Sequence, residues 1–446
     1  MIKKKRRQWK KANYQRRKSI IEQDRRTDKK ELLRSRSLNY KLKIINEPIL
    51  SFLHNTKFYK KRHIDIDNKY EVNFAIPRIF SFTENPDETI EALQRLYSIS
   101  LLRDVENIFV DHSHCEVLGI GASTVMDIFI LSLKKDRNQR GKKLTLHGIL
   151  SSSTQINDII YVSGLLKHLG ITKYAPTPIN IRKLDLINGG KGIQESKDPS
   201  GKSGVASTLI VEYYNECLAT QGFIFTSKGQ NQLTKMIGEV INNCELHSGK
   251  FCRWYALGHF SLDEEKGYGI CHLVIFNFGQ TIYEGLKDST TTDDMKSRLN
   301  NMTKLHSGFL GFGGWDEELL WTLYALQESV SRKYDKEKDP TRGNGTIELI
   351  DNFQIFGDTK NENEVPMMSL ISGNTHILFD QKYKLSENTM DNGEERKVIA
   401  FNKENDLRKP PDIKNVKKLK NYFPGTIISM KFYLQRSYIE QIIEEG

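Results

Sequence analysis

Two kinds of hydrophobic pattern alternate along the first half of the chain. Residues 70–76 switch between apolar and polar side chains, the period of a half-buried strand, whereas residues 87–101 repeat apolar positions at helical spacing. Residues 107–111 and 143–147 read as further short strands. Between them a turn at Gly119 and Gly121 opens a helix over 122–134, and a last helix over 155–169 stops at Gly170. Strand and helix in alternation predict a small α/β domain over 70–187 with a mostly parallel sheet. Residues 44–69 read as a connecting segment ahead of it.

Residues 188–204 are rich in Gly, Lys and Ser without periodicity and read as a linker. Beyond it, Leu233, Ile237 and Ile241 form one helical stripe while Glu239, Asn243 and His247 recur at i, i+4, i+8 on a neighbouring one. A helix that buries one face and shows Glu, Asn and His on the next is built to aim polar groups at something. An apolar strand follows from Ile270 and ends in Asn277-Phe-Gly279. An amphipathic run over 316–333 reads as a helix. The turn Arg342-Gly343-Asn-Gly345 opens another, and residues 425–432 form a closing strand that contains Thr426. Residues 205–435 thus make a second domain, with a C-terminal helix expected over 436–446.

Charge changes the picture in one respect. The formal net charge is +11, yet residues 1–43 hold eighteen Lys or Arg against Glu22, Asp24, Asp28 and Glu31, so this tail carries +14 and the rest of the chain −3. The basic balance describes an appendage, either disordered or a solvated helix, in which Trp9 and Tyr14 lie among the cations. Basic residues interleaved with aromatics suit nucleic acid as a partner. A solubilising or anchoring tail has the same composition.

Other classes fall away. No apolar run approaches the roughly 20 residues of a membrane-spanning helix, and no apolar segment follows the basic N-terminus as in a signal peptide, so no membrane association and a cytoplasmic location are expected. Five cysteines without CxxC spacing indicate neither a disulfide framework nor a zinc module. Gly201-Lys202-Ser203 imitates the end of a P-loop without the preceding strand. His112 and His114 face one side of a strand and Cys115 the other, which argues against one shared metal ion.

Two resemblances follow from these segments. Ile108-Phe-Val-Asp111, Val117-Leu-Gly-Ile-Gly121 and Tyr161-Val-Ser-Gly-Leu-Leu-Lys-His-Leu-Gly-Ile171 resemble the core of a STAS domain, the fold of anti-sigma-factor antagonists. That family carries a phosphorylatable Ser, usually after Asp, where this chain reads Leu118-Gly-Ile-Gly-Ala-Ser123. The resemblance implies a protein partner for this domain. The second domain resembles the GHKL ATPases, the gyrase, histidine kinase and mismatch-repair type with a Bergerat α/β sandwich, whose N box, G1 box, G2 box and terminal GT motif come in this order.

The GHKL resemblance implies ATP and Mg²⁺ as cofactors. Asn243 would be the Mg²⁺ ligand, since Mg²⁺ takes hard oxygens, and Glu239 one turn away the general base. Asn277, Gly279, Arg342, Gly343, Gly345 and Thr426 would line the nucleotide. Arg342 offers a phosphate clamp, and the glycines of 308–314 belong to an ATP lid. The family's G1 box opens with an Asp that accepts from the adenine amino group, and Asn277 stands there. The functions implied are a nucleotide-driven switch hydrolysing ATP, with lid closure and a homodimer, or a serine/threonine kinase of the anti-sigma type, or an ATP-gated nucleic-acid clamp gripping through the tail.

Overall fold

A computed structural model describes residues 47–59, 70–102, 105–163, 181–190, 203–247, 249, 251–263, 268–306, 315–330, 345–356, 365–389, 393, 395–434 and 438–441. The expectations for the tail 1–43, for Arg342 and Gly343 and for the lid glycines lie outside these residues. The described chain is a mixed α/β structure with parallel and antiparallel sheets.

The N-terminal unit runs α1 (Pro48–His54), β1 (Glu71–Ala75), β2 (Ile79–Phe80), α2 (Pro86–Ser100), β3 (Asn107–Asp111), β4 (Val117–Leu118), α3 (Ile120–Gln139), β5 (Thr145–Ile149) and α4 (Thr154–Ser163). Helical crossovers bring β1, β3 and β5 together as the expected parallel sheet, in that order. Val72, Phe74, Ile108 and Val110 turn inward, while Glu71, Asn73 and Ala75 on the alternate face of β1 stay exposed. The segment 44–69 is more than a connection, because Ile49, Leu50 and Leu53 of α1 enter this unit's core and Glu47 caps the helix by accepting from Leu50 N at 2.8 Å.

The second unit comprises β6 (Ile181–Gly189), α5 (Ser203–Ala219), β7 (Phe223–Phe225), α6 (Ser227–His247), β8 (Arg253–Asp263), β9 (Tyr268–Phe278), α7 (Ile282–Lys287), α8 (Asp293–His306), α9 (Glu317–Tyr324), α10 (Gly345–Phe356), β10 (Met367–Phe379), β11 (Ser386–Thr389), β12 (Glu395–Val398), β13 (Val416–Tyr433) and β14 (Ile439–Gln441). Its main sheet is antiparallel, ordered β10-β13-β9-β8-β6.

Three sequence-based boundaries are corrected. Residues 181–189, divided between the first domain and the linker, form the edge strand β6 of the second sheet, with Leu184 and Ile187 buried there. A register shift between those two residues breaks the period-2 pattern that would have revealed the strand. Residues 439–441 pair with β7, Ile439 opposite Phe225, so the helix expected at the C-terminus is a strand at these positions. The helix expected over 316–333 begins as read, with Asp316 accepting from Glu318 N and Leu319 N, but ends at Tyr324. Ser329 then takes a left-handed φ of 60°, which no helix continues through.

The two units share a core. In α3, 15 of 20 residues are buried, more than a helix with one solvent face allows, because it lies between the parallel sheet and the antiparallel one. A Cβ on Gly121 would stand 3.0 Å from Val274 Cγ1 of β9, a tight contact that places the start of α3 directly on the sheet. Phe129 meets Phe278 with centroids 5.8 Å apart, and Phe82 meets Phe423 at 5.7 Å. Asp87 Oδ1 accepts from Lys420 N and Asn421 N at 2.7 and 3.1 Å. Helices of the first unit cover one face of the main sheet; α5, α6 and α10 cover the other.

Candidate functional site

Strand alternation decides which face each polar residue takes. Cys271, Leu273 and Ile275 of β9 belong to the core under α5, α6 and α10, and Val274, Phe276 and Phe278 to the core shared with the first unit. Asn277 therefore points to the helix side, at the end of β9. Across the ladders it is opposite Trp254 on one side and Thr426 on the other, and Thr426 is opposite Ser372. Ser372, Thr426, Asn277 and Trp254 make one rung across four strands, where rungs further along are apolar. Its spacing is held by Gly425, φ 143°, since a side chain there would strike the Asn277 carbonyl. Gly279 N donates to Pro424 O at 3.2 Å beside it.

Asn277 is 2% exposed and its Nδ2 has no hydrogen-bond partner among the described residues. Buried amides are normally paired, so this nitrogen is a donor that the described protein groups do not use. Thr426 is partly exposed, with Oγ1 2.9 Å from Ser372 Oγ, which also accepts from Ile282 N at 2.9 Å.

The C-terminal end of α6 is tied over this rung. Trp254 Nε1 donates to Glu245 Oε1 at 3.1 Å, and Cys252 Sγ donates to Cys244 O at 3.2 Å. Leu233, Ile237 and Ile241 are fully buried, which turns the next stripe, with Glu239 and Asn243, toward α10. There Asn243 hydrogen-bonds the Glu239 carboxylate. A Cβ on Gly345, the first residue of α10, would collide with that carboxylate. The close approach that this glycine permits is made by Glu239 itself. Burial, and next the charge of Glu348, push the Glu239 carboxyl above its ordinary value, and the bond from Asn243 offsets part of the rise.

The structure thus brings Glu239, Asn243 and Gly345 together, and separately Asn277, Gly279 and Thr426, with the end of α6 tied over the second group. Glu348 and Ser372 were missed. Glu348 follows Gly345 by three residues, but acids are common in a first helical turn and give no distinct signal. Ser372 becomes visible only through pairing with β13.

The remaining motifs have structural explanations. Ser123 is 1% exposed, and the α3 N-terminus that carries it is docked on β9, so phosphorylation there requires opening the interface. His112 is buried, and among the described residues no group of three or more His, Cys, Asp or Glu could hold a metal ion. All five cysteines are buried and none is in a disulfide. No described helix is long and apolar enough to cross a membrane. A cavity of about 790 Å³ between α8, β12 and the 404–408 turn is lined by none of the residues singled out above.

Comparison of the chain with family models, with curated proteins and with solved structures gave no match.

Proposed function

We propose that the second unit binds a purine nucleoside triphosphate with Mg²⁺ in the manner of a GHKL-type ATPase, and that hydrolysis drives a regulatory or effector switch. The observation that carries this reading is the pairing of a half-buried Glu239, hydrogen-bonded to Asn243 and packed on the first residue of α10, with a buried, unpartnered amide at Asn277 on the same face of the sheet. An antiparallel five-stranded sheet with α5, α6 and α10 on that face supports the Bergerat type of sandwich. A parallel sheet crossed by helices supports the STAS-like reading of the first unit.

The donor set fits Mg²⁺. Asn243 offers a carbonyl oxygen, and the paired carboxylates of Glu239 and Glu348 leave negative charge that a hard cation compensates. Bound there, Mg²⁺ supplies charge neutralisation for the phosphates. Glu239 holds a carboxylate whose raised pKa makes it a stronger acceptor for the proton of an attacking water. Asn243 orients that carboxylate through its hydrogen bond. Asn277 and Thr426 present the polar edge that meets the base.

The experiment is nucleotide binding and phosphate release by the full chain, wild type against Glu239→Ala and Asn243→Ala. Binding should survive Glu239→Ala while release falls at least about a hundredfold. Equal release by the wild type and Glu239→Ala would remove Glu239 from the chemistry.

A further inference from the structure

The composition of the rung at Asn277 bears on which nucleotide is taken, an inference that rests on the nucleotide site proposed above. Asn277 Nδ2 is buried and unpartnered. Its cross-strand neighbour Thr426 touches Ser372 Oγ at 2.9 Å, and Ser372 also lies 3.4 Å from Gly425 O. Ser372 can therefore give its one proton either to Thr426 or to that carbonyl. The Thr426 hydroxyl is left able to turn as donor or as acceptor. Four residues, Ser372, Thr426, Asn277 and Trp254, make up the rung, and none is a carboxylate.

A purine shows one of two patterns at its six-position edge. Adenine has an amino donor beside an unprotonated N1, whereas guanine and hypoxanthine have an oxo acceptor beside a protonated N1. A carboxylate only accepts, so it pairs with the amino form and repels the oxo form. A carboxamide carries acceptor and donor side by side. Turned one way, Asn277 meets the amino group with Oδ1 and N1 with Nδ2; turned over, it meets the oxo group with Nδ2 and N1–H with Oδ1. Both orientations use the nitrogen that has no protein partner. We infer that this site accepts 6-amino and 6-oxo purine nucleoside triphosphates alike, with Asn277 as the residue that sets this breadth.

The test is competition binding of ATP, GTP, ITP and UTP to the full chain with Mg²⁺, for wild type and Asn277→Asp. Wild type should bind ATP, GTP and ITP within about tenfold of one another, with UTP weaker. Asn277→Asp should keep ATP within about tenfold while GTP and ITP weaken by about a hundredfold or more, because a carboxylate at this position has no proton to give the oxo group and repels it. ATP binding by the wild type with GTP and ITP more than about a hundredfold weaker would overturn the inference and leave the nucleotide site standing. So would UTP binding equal to ATP, or a variant that weakens all purines equally. If the variant does not fold, the wild-type ratios alone decide. Failure of the wild type to bind any of the four would sink the nucleotide reading itself, and this inference with it.

Discussion

The Glu239 carboxylate lies against the backbone of Gly345, so closely that a Cβ at that position would overlap it. Gly345→Ala must therefore displace the carboxylate or the helix. Displacing the carboxylate also disturbs its hydrogen bond to Asn243, so the expected outcome is misplacement of the base. Phosphate release should fall by about a hundredfold, the range assigned to a positioned general base, with a much smaller change in nucleotide affinity. Single-turnover release beside equilibrium binding checks the split.

Glu348 gives the same site a pH signature. Burial and Glu348 both raise the Glu239 pKa, so the base becomes active only as pH climbs past an elevated value. Glu348→Gln removes the second cause and leaves the first. The acid limb of the rate profile should move to lower pH, toward the ordinary carboxyl value without reaching it. An unmoved limb would take Glu239 out of the ionisation that limits the rate.

Sequence pattern revealed what depends on local periodicity. The stripe of Leu233, Ile237 and Ile241 gave α6 and, by subtraction, the facing of Glu239 and Asn243. The apolar run that ends at Asn277 gave β9. Non-local pairing stayed hidden: Ser372 joins Asn277 in one rung through β13, and no spacing in the chain encodes that. β6 was obscured by its irregular register with β8. Nor did the sequence show the two units to be joined, because Gly121 and Val274 become neighbours only when α3 docks on the sheet.

That joint core predicts cooperative unfolding. Phe129 is 2% exposed and packs on Phe278, the neighbour of Asn277. Phe129→Ala should cost about 3–5 kcal/mol. Trp254, Trp315 and Trp321 all lie in the second unit, so their fluorescence reports on a substitution made in the first. The urea midpoint read from tryptophan should drop together with that read from helical circular dichroism. A fluorescence midpoint unchanged by the substitution would show the units unfolding independently.

Buried histidines set the acid limit of stability. Desolvation pushes His112 and His259 down to about 4 and His376 to about 3, and it lowers His272 in the same direction, aided by the stacked His259 ring 4.3 Å away and by Lys431. Against His376 lie Ser369, whose Oγ is 2.9 Å from Nε2, and Lys417 across the ladder, whose charge disfavours a protonated ring. Between about pH 6.5 and 4 the unfolded chain binds protons at these sites that the folded chain does not. Stability therefore rises with pH through this window and is lost as pH falls below about 6.5, each histidine contributing up to about 1.4 kcal/mol per pH unit. Urea midpoints at pH 7.5, 6.5 and 5.5 should be nearly level over the first step and drop over the second. His259→Phe keeps a ring to stack on His272 and removes one titrating group, so its drop between pH 6.5 and 5.5 should be shallower than that of the wild type. An equal drop would mean that burial does not lower the His259 pKa below its unfolded value.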